Sequence, residues 1–153
     1  MHMAVKAVPD GYHTLTPYLV CQGAADAIKF YEQAFGATET ARMPGPGGSV
    51  MHAELRIGTS MLMLSDENPE RGALSPKTVG GSPVSVFIYT EDVDALFARA
   101  VKAGAQGVAP PADMFWGDRF AQLVDPFGHS WAMATHKEDV SPEEMGRRMQ
   151  AMG

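Results

Sequence analysis

The sequence repeats one order of structural signals, and this repeat constrains the fold more than any other feature. In each half, an extended run is followed by a helical segment that ends at a glycine, Gly36 or Gly104. A hairpin with its own glycine, Gly58 or Gly128, comes next. Gly104 lies 68 positions after Gly36, and Gly128 lies 70 positions after Gly58. This near-constant spacing predicts an internal duplication.

Periodic apolar residues predict helices in both halves and in the C-terminal tail. Ala24–Phe35 carries apolar residues at three- and four-residue spacing, and Gly36 follows as a stop signal. Val93–Ala103 has the same spacing and also ends before a glycine. In the tail, Ser141 is placed as an N-cap and Pro142 as the first helical residue, which predicts a third helix.

Extended apolar runs predict three strands in each half. They cover residues 14–21, 50–57 and 60–65 in the first half, and 84–89, 119–124 and 130–135 in the second. Segment 44–48 is rich in proline and glycine, and residues 110–111 are both proline, so these two segments before the hairpins are predicted to be turns.

Four phrases of the sequence carry a resemblance to a known family. They are AIKFYEQAFGA and HAELRIG in the first half, and VDALFARAVKAGA and FWGDRFAQLVDPFGHSW in the second. With the tandem order of elements, they resemble the vicinal oxygen chelate superfamily, in its PhnB-like branch of glyoxalase- and bleomycin-resistance-like proteins. The resemblance implies an α+β fold in which two tandem βαβββ modules form a cup-shaped cavity, with the helices outside.

The resemblance spans roughly residues 12–136 and implies one domain built from two modules. We expect residues 1–11 to form an N-terminal extension, residues 12–66 the first module and residues 83–136 the second. Residues 67–82 have the composition of a linker, and residues 137–153 form the tail with its helix. The superfamily also implies a homodimer with its ligand in the cup.

Composition restricts the partners. The net charge of −6 leaves no basic surface to neutralise phosphates, so we expect no nucleic acid. A membrane-spanning helix needs about 18 consecutive apolar residues, and no run in the sequence is that long, so we expect no membrane partner. The single cysteine, Cys21, excludes an intramolecular disulfide and favours a cytoplasmic location. The expected partners are a small-molecule ligand and a second copy of the chain.

The resemblance also locates the positions of a metal site. Enzymes of the superfamily hold a divalent ion with one residue on the first and last strands of each module. By pattern, these positions fall near Thr16, on Leu62 or Met63, on Ser85 and on Ala132. Imidazole and carboxylate groups are the usual ligands, and none stands at these positions. We therefore expect no metal and no other cofactor.

His52 and Glu54 are the candidate catalytic residues. They alternate on a predicted strand, so both side chains lie on one face, opposite Ala53, Leu55 and Ile57. The pair could work as general acid and base, contribute to an unusual metal site, or contact a ligand. It could equally be a structural polar pair whose members satisfy each other's hydrogen bonds.

Aromatic residues with a few polar groups predict a small-molecule site in the cup. Phe87 and Tyr89 alternate away from the valines of their strand, and an offset of 70 relates His52 to Gln122. A collapsed aromatic core is the alternative. The predicted ligand-binding residues are Tyr18, His52, Glu54, Phe87, Tyr89, Trp116, Phe120 and Gln122.

Other polar residues have simpler interpretations. His13, His129 and His136 are expected at the surface or as capping residues. Asp118 with Arg119 is expected to form an ion pair that supports a turn, with a clamp for an anionic substrate group as the alternative. The leading hypothesis is a metal-independent protein that sequesters an aromatic or antibiotic molecule. The alternatives are a glyoxalase-like lyase or isomerase that uses the His52 and Glu54 pair, and a dimeric scaffold with a closed cup.

Overall fold

A computed structural model describes residues 4–153, which divide into two compact units, one up to Gly81 and one of Ser82–Gly153. Residues 1–3 of the expected N-terminal extension lie outside the described residues. The first unit contains β1 (Tyr18–Cys21), α1 (Ala24–Phe35), β2 (Thr38–Pro44), β3 (Val50–Ile57), β4 (Ser60–Asp66) and the short α2 (Pro76–Val79). The second contains β5 (Ser85–Tyr89), α3 (Val93–Ala103), β6 (Gln106–Asp113), β7 (Asp118–Val124), β8 (Ser130–His136) and α4 (Pro142–Met152).

Each unit builds a βαβββ module around one four-stranded sheet, which confirms the predicted fold class. The strand orders are β1-β4-β3-β2 and β5-β8-β7-β6. In both sheets the first strand pairs in parallel with the last, Tyr18 with Met63 and Phe87 with Ala132. Both pairs join residues 45 positions apart, as an internal duplication requires. The cup-shaped cavity stays a prediction.

The first sheet buries one face against α1. Leu55 and Leu64 have no exposed surface, and Ala53 beside them is also fully buried. Burial of a leucine side chain contributes about 1.5–3 kcal/mol, so this face supplies much of the stability of the unit. The predicted orientation of Ala53 and Leu55 toward the helix is confirmed, and Cys21 is buried in the same layer.

A carboxylate connects the helix start to the sheet. Asp66 Oδ1 accepts hydrogen bonds from the backbone N–H groups of Gly23 and Ala24, and its Oδ2 accepts one from Val50. Gly23 adopts a φ of 90°, a left-handed conformation that favours glycine. No side chain of the preceding residues caps α1, so Asp66 supplies the partner from β4.

The second sheet packs one of its faces against α3. Its strands β7 and β8 are joined by a turn that Asp125 stabilises. Trp131 is 1% exposed, and its Nε1 donates to Asp125 Oδ2 at 2.8 Å. Asp125 Oδ1 accepts from the N–H groups of Phe127 and His129. His129 is 9% exposed, so it does not lie at the surface, which was one of the two positions expected of it.

Segment 44–48 begins at the end of the edge strand β2 and turns through a short 3-10 helix at Pro46–Gly48, as predicted. The turn predicted at residues 110–111 is wrong, because these residues belong to the edge strand β6. Every residue of β2 is exposed, so it shows no apolar alternation that sequence reading could detect. Pro110 and Pro111 lie within β6, where the pairing with β7 shifts register between Ala109 and Ala112. Proline is tolerated on edge strands and at such irregularities, because no ladder hydrogen bond there needs its missing N–H.

Smaller differences lie at element ends. Strand β1 begins at Tyr18 rather than at residue 14, while Ser141 caps α4 by accepting from Glu144 N, as predicted. Residues 67–82 include the short α2, which Ser75 caps by accepting from Thr78 N. Within residues 4–153, no helix is both long and apolar enough to cross a membrane.

Candidate functional site

Four aromatic side chains lie together on the face of the second sheet that α3 does not cover. We call the uncovered face of each sheet its open face. Phe87 and Tyr89 alternate along β5, and their ring centroids are 4.9 Å apart. Phe120 on β7 lies 5.9 Å from Phe87, and Trp116 lies 5.6 Å from Phe120 in an edge-to-face arrangement. We call these four residues the aromatic face. The sequence predicted all four as ligand-contacting residues, and the structure brings them into one continuous cluster.

Two alanines of β8 leave room for these rings. Strand β8 lies between β5 and β7, and Phe87 pairs with Ala132 while Tyr89 pairs with Ala134. Ala132 and Ala134 are 4% and 0% exposed, because the rings close over them. A larger side chain at either position would enter the space where Phe87 meets Phe120.

A buried carboxylate holds the polar atoms of two of the rings. Asp118 is 3% exposed, and its Oδ2 accepts hydrogen bonds from Tyr89 Oη at 3.0 Å and Trp116 Nε1 at 3.1 Å. Burial acts to raise the pKa of Asp118, but hydrogen bonds from His136, Tyr89 and Trp116 outweigh it and lower the pKa. The ionised carboxylate fixes both rings by their polar atoms, so their carbon faces define the surface.

His136 completes this network from the adjacent strand. Its Nδ1 lies 2.7 Å from Asp118 Oδ1, and its Nε2 lies 2.7 Å from Asp139 Oδ1. The hydrogen bonds to Asp139 and Asp118 raise the pKa of His136 above its ordinary value. His136 is half exposed, as expected of a surface residue, but the sequence did not predict its place in this network. Asp118 and His136 are 18 positions apart in the sequence, and they meet because the register of β7 and β8 pairs them.

The predicted ion pair between Asp118 and Arg119 is wrong. Adjacent residues of a strand point to opposite faces, so the two side chains cannot meet. Arg119 Nε instead bonds Asp94 Oδ2 at 2.7 Å, and its Nη1 bonds Asp113 Oδ1 at 3.2 Å. These bonds raise the pKa of Arg119, and they connect β7 to α3 and β6 on the side away from the aromatic face.

The C-terminal tail holds the turn that carries Trp116. Gly117 O accepts hydrogen bonds from the N–H groups of Lys137 and Glu138, at 2.8 Å and 3.1 Å. Arg148 Nη1 donates to Phe115 O at 3.1 Å and to Glu138 Oε1 at 2.6 Å. The tail therefore contacts both neighbours of Trp116 in the chain and restricts the position of that ring.

In the first unit, three predicted residues form a hydrogen-bonded chain. Tyr18 Oη lies 2.9 Å from His52 Nδ1, and His52 Nε2 lies 3.0 Å from Glu54 Oε2. All three side chains lie on the open face and are partly exposed. Tyr18, Met43 and Met51 also line a cavity of about 660 Å³ within this unit. A carboxylate that orients an imidazole against a hydroxyl is an arrangement able to move a proton.

Gln122 lies on the open face of the second sheet, but its counterpart is Glu54 rather than His52. The starts of α1 and α3 are 69 residues apart, a spacing that relates Met63 to Ala132. Met63 pairs with Glu54, and Ala132 pairs with Gln122. The predicted offset was two residues off because the second hairpin loop, residues 125–129, is longer than the first, residues 58–59. An even shift leaves each side chain on its predicted face.

The residues at the superfamily's metal positions do not fit a metal ion. Leu62 is buried against α1, and Ala132 lies under the aromatic face. Met63 offers a thioether, and Thr16 and Ser85 offer neutral hydroxyls, which are poor ligands for the divalent ions of such sites. Across residues 4–153, no three His, Cys, Asp or Glu side chains are grouped so that they could hold a metal ion.

Comparison with known proteins agrees with this architecture. The model of the Glyoxalase/Bleomycin resistance protein/Dioxygenase superfamily matches residues 12–133. An uncharacterized protein of Mycobacterium bovis is 40% identical over 99% of both chains. An uncharacterized protein of Arabidopsis thaliana is 32% identical over 80% of this chain and 77% of its own.

Two solved structures show the same fold. TioX from Micromonospora sp. ML1 has a TM-score of 0.66 and 26% identity, covering 81% of this chain and 98% of its own. The PhnB protein from Bacillus cereus has a TM-score of 0.63 and 19% identity, covering 80% of this chain and 99% of its own. The predicted family resemblance is therefore confirmed.

Proposed function

The chain belongs to the glyoxalase/bleomycin resistance protein/dioxygenase superfamily, and within it we propose a metal-independent protein that binds a flat aromatic molecule. The observation that carries this proposal is the aromatic face. Phe87 is 46% exposed and Tyr89 is 64% exposed, although large aromatic side chains are normally covered. The biological role we propose is sequestration, with an aromatic antibiotic as one class of ligand.

The chemistry of the aromatic face favours flat apolar ligands. Tyr89 and Trp116 donate their side-chain hydrogen bonds to Asp118, so a ligand would contact the carbon atoms of their rings. Stacked or edge-to-face aromatic pairs contribute about 0.5–1.5 kcal/mol beyond the burial of their area. Gln122 lies beside the face, is exposed and has no hydrogen-bond partner in the described chain, so its amide is available to orient a polar edge of the ligand.

Binding of the neutral dye phenylnaphthylamine tests this proposal. We expect saturable binding, and Phe87→Ala to weaken it about 10-fold, because loss of one ring contact removes roughly 1–2 kcal/mol. Val101→Ala is the matched control, since Val101 is an apolar residue on α3 of similar exposure and its truncation should leave the dissociation constant unchanged. Absence of binding, or equal loss in both variants, would contradict the proposal.

A second candidate function is acid–base catalysis by the chain of Tyr18, His52 and Glu54. The observation that favours it is the unbroken sequence of hydrogen bonds that ends at Tyr18 on the wall of the first unit's cavity. In a glyoxalase-like isomerisation, Tyr18 Oη would exchange the substrate proton with His52 while Glu54 stabilises the imidazolium. We infer a reaction of the lyase or isomerase type.

Conversion of the adduct of an α-keto aldehyde and a thiol tests this second candidate. If the wild-type protein turns over the adduct, Tyr18→Phe should lower kcat about 100-fold or more, because it removes the proton-carrying oxygen alone. Leu15→Ala, at an exposed residue three positions before Tyr18 in the sequence, is the control and should retain full turnover. A wild-type protein without turnover, or a Tyr18→Phe variant with full turnover, would exclude this candidate.

A further inference from the structure

One imidazole in the second unit lies between two carboxylates. His136 Nδ1 faces Asp118 Oδ1, and Nε2 faces Asp139 Oδ1, each at 2.7 Å. An ionised carboxylate only accepts hydrogen bonds, and a neutral imidazole carries only one N–H. Both contacts exist together only when both ring nitrogens are protonated. The geometry therefore requires the imidazolium form of His136.

Loss of the proton breaks one of these two bonds, and burial decides which. The Asp118 side chain is 4% exposed, so its charge depends on donors supplied by the protein. The Asp139 side chain is fully exposed, and water replaces its partner at little cost. A neutral His136 therefore keeps its N–H on Asp118, and the Asp139 contact is lost.

Asp139 belongs to the segment that holds the Trp116 turn. The residues between His136 and Asp139 are Lys137 and Glu138, whose N–H groups both donate to Gly117 O. Their backbone is thus fastened at one end by the Asp139 contact with the imidazolium. When that contact is lost, the restraint that the tail places on Trp116 weakens.

We propose that His136 is a proton-dependent link between the C-terminal tail and the aromatic face, and that the face binds its ligand best when His136 is charged. The ligand part of this proposal rests on the proposed function. His136 is in this sense a positioning residue, because it contacts Asp118 rather than the ring surface that a ligand would meet.

The other polar and charged groups around His136 leave its imidazole as the group whose charge changes near neutral pH. Tyr89 and Glu91 line a cavity of about 480 Å³ together with His136, and Glu91 is a carboxylate without a hydrogen-bond partner in the described chain. Lys137 and Glu138 follow His136 in sequence, with opposite charges. Carboxylates and lysine do not titrate near neutral pH, so the imidazole is the group that changes charge there.

The pH window follows from the direction of the shift. The pKa of His136 is raised above 6.5 by its bonds to Asp139 and Asp118. A raised pKa in the folded state means that the link is complete below pH 6.5 and is lost as the pH rises through the raised value. The aromatic face should accordingly be most ordered in mildly acidic solution.

The first experiment needs no ligand. In protein labelled with ¹⁵N-tryptophan, the Trp116 indole signal should shift with pH at the same midpoint as the ring protons of His136. The signal of Trp131, which donates to Asp125, serves as the control within the same sample. His136→Gln should abolish the Trp116 titration, whereas His13→Gln, at an exposed histidine of the first unit, should preserve it. A Trp116 signal that does not titrate, or that titrates unchanged in His136→Gln, would overturn the proposal.

The second experiment measures phenylnaphthylamine, which is neutral across the range used. Its dissociation constant should rise about 2- to 5-fold between pH 6 and pH 9 in the wild-type protein, because an exposed contact such as that between His136 and Asp139 contributes only modestly to the order of the tail. Asp139→Ala removes the exposed partner without touching the aromatic face and should flatten this profile. An unchanged profile in Asp139→Ala would overturn the link, whereas a dye that binds at no pH would overturn only the proposed function, because the indole titration tests the link separately.

Discussion

The rings of Phe87 and Phe120 meet with their centroids 5.9 Å apart, although β5 and β7 are not neighbours in the sheet. Strand β8 separates them, and its open-face residues Ala132 and Ala134 are small enough for the two rings to close above them. The packing of the two rings thus explains why a small residue stands at position 132. The position that would carry a metal ligand in an enzyme of the superfamily is here the floor of an aromatic surface.

Ala132→Leu should disrupt this contact. The added carbons would enter the space between Phe87 and Phe120, and overpacking of this kind destabilises by about 1–3 kcal/mol. Urea unfolding measures the loss, and dye affinity should fall with it. Ala98→Leu is the matched control, because Ala98 is exposed on α3 and its change should stay within about 0.5 kcal/mol. Equal stability of the two variants would show that the rings do not close over Ala132.

Asp118→Asn should weaken the anchoring of Tyr89 and Trp116. Loss of the charged acceptor should lower the free energy of unfolding by about 1–3 kcal/mol at pH 7. The pKa of Asp118 lies below its ordinary 3.8, so this contribution is present above pH 3.8 and is lost as the pH falls through the lowered value. The wild-type and variant stabilities should therefore converge in acid.

Asp113→Asn is the control for this comparison, because Asp113 is an exposed carboxylate on the edge strand and its ion pair with Arg119 is screened by solvent. Its free energy of unfolding should change by less than about 1 kcal/mol at pH 7. A gap between wild-type and Asp118→Asn that is as wide at pH 3 as at pH 7 would refute the role of the Asp118 charge.

Gly117→Ala should loosen the tail from the Trp116 turn. Gly117 has a φ of 103°, and a Cβ there would run into the carbonyl oxygen of Glu138. We expect a loss of more than about 1 kcal/mol in unfolding free energy. Gly146→Ala, in open space on α4, should instead be neutral or stabilise by up to about 1 kcal/mol. A Gly117→Ala variant as stable as Gly146→Ala would rule out this close approach.

Arg148→Met should weaken the contact between the C-terminal tail and the Trp116 turn, and amide hydrogen exchange would report the change. Arg148 donates to Phe115 O and to Glu138, and the amides of Lys137 and Glu138 depend on the docked tail. Their hydrogen–deuterium exchange should accelerate about 10-fold, because the tail that protects them opens more often. Arg147→Met removes a neighbouring arginine that, among residues 4–153, bonds only Glu144, so exchange at these two amides should not change.

Faces and elements with strong periodicity could be predicted from the sequence. Alternation along β5 placed Phe87 and Tyr89 on one side, and the stripes of α1 and α3 predicted where those helices begin and end. The edge strands β2 and β6 could not be predicted in this way, because an exposed strand carries no apolar pattern and the prolines of β6 read as a turn.

By itself, the sequence determined the family, the duplicated βαβββ order and the aromatic residues of the open face, because these depend on local periodicity and on spacing along the chain. Only the tertiary structure decided that Asp118 binds His136, Tyr89 and Trp116, and that Arg119 turns away to Asp94. The physical reason is that strand register determines which distant side chains share a face, and a hydrogen bond needs its two atoms within about 3 Å.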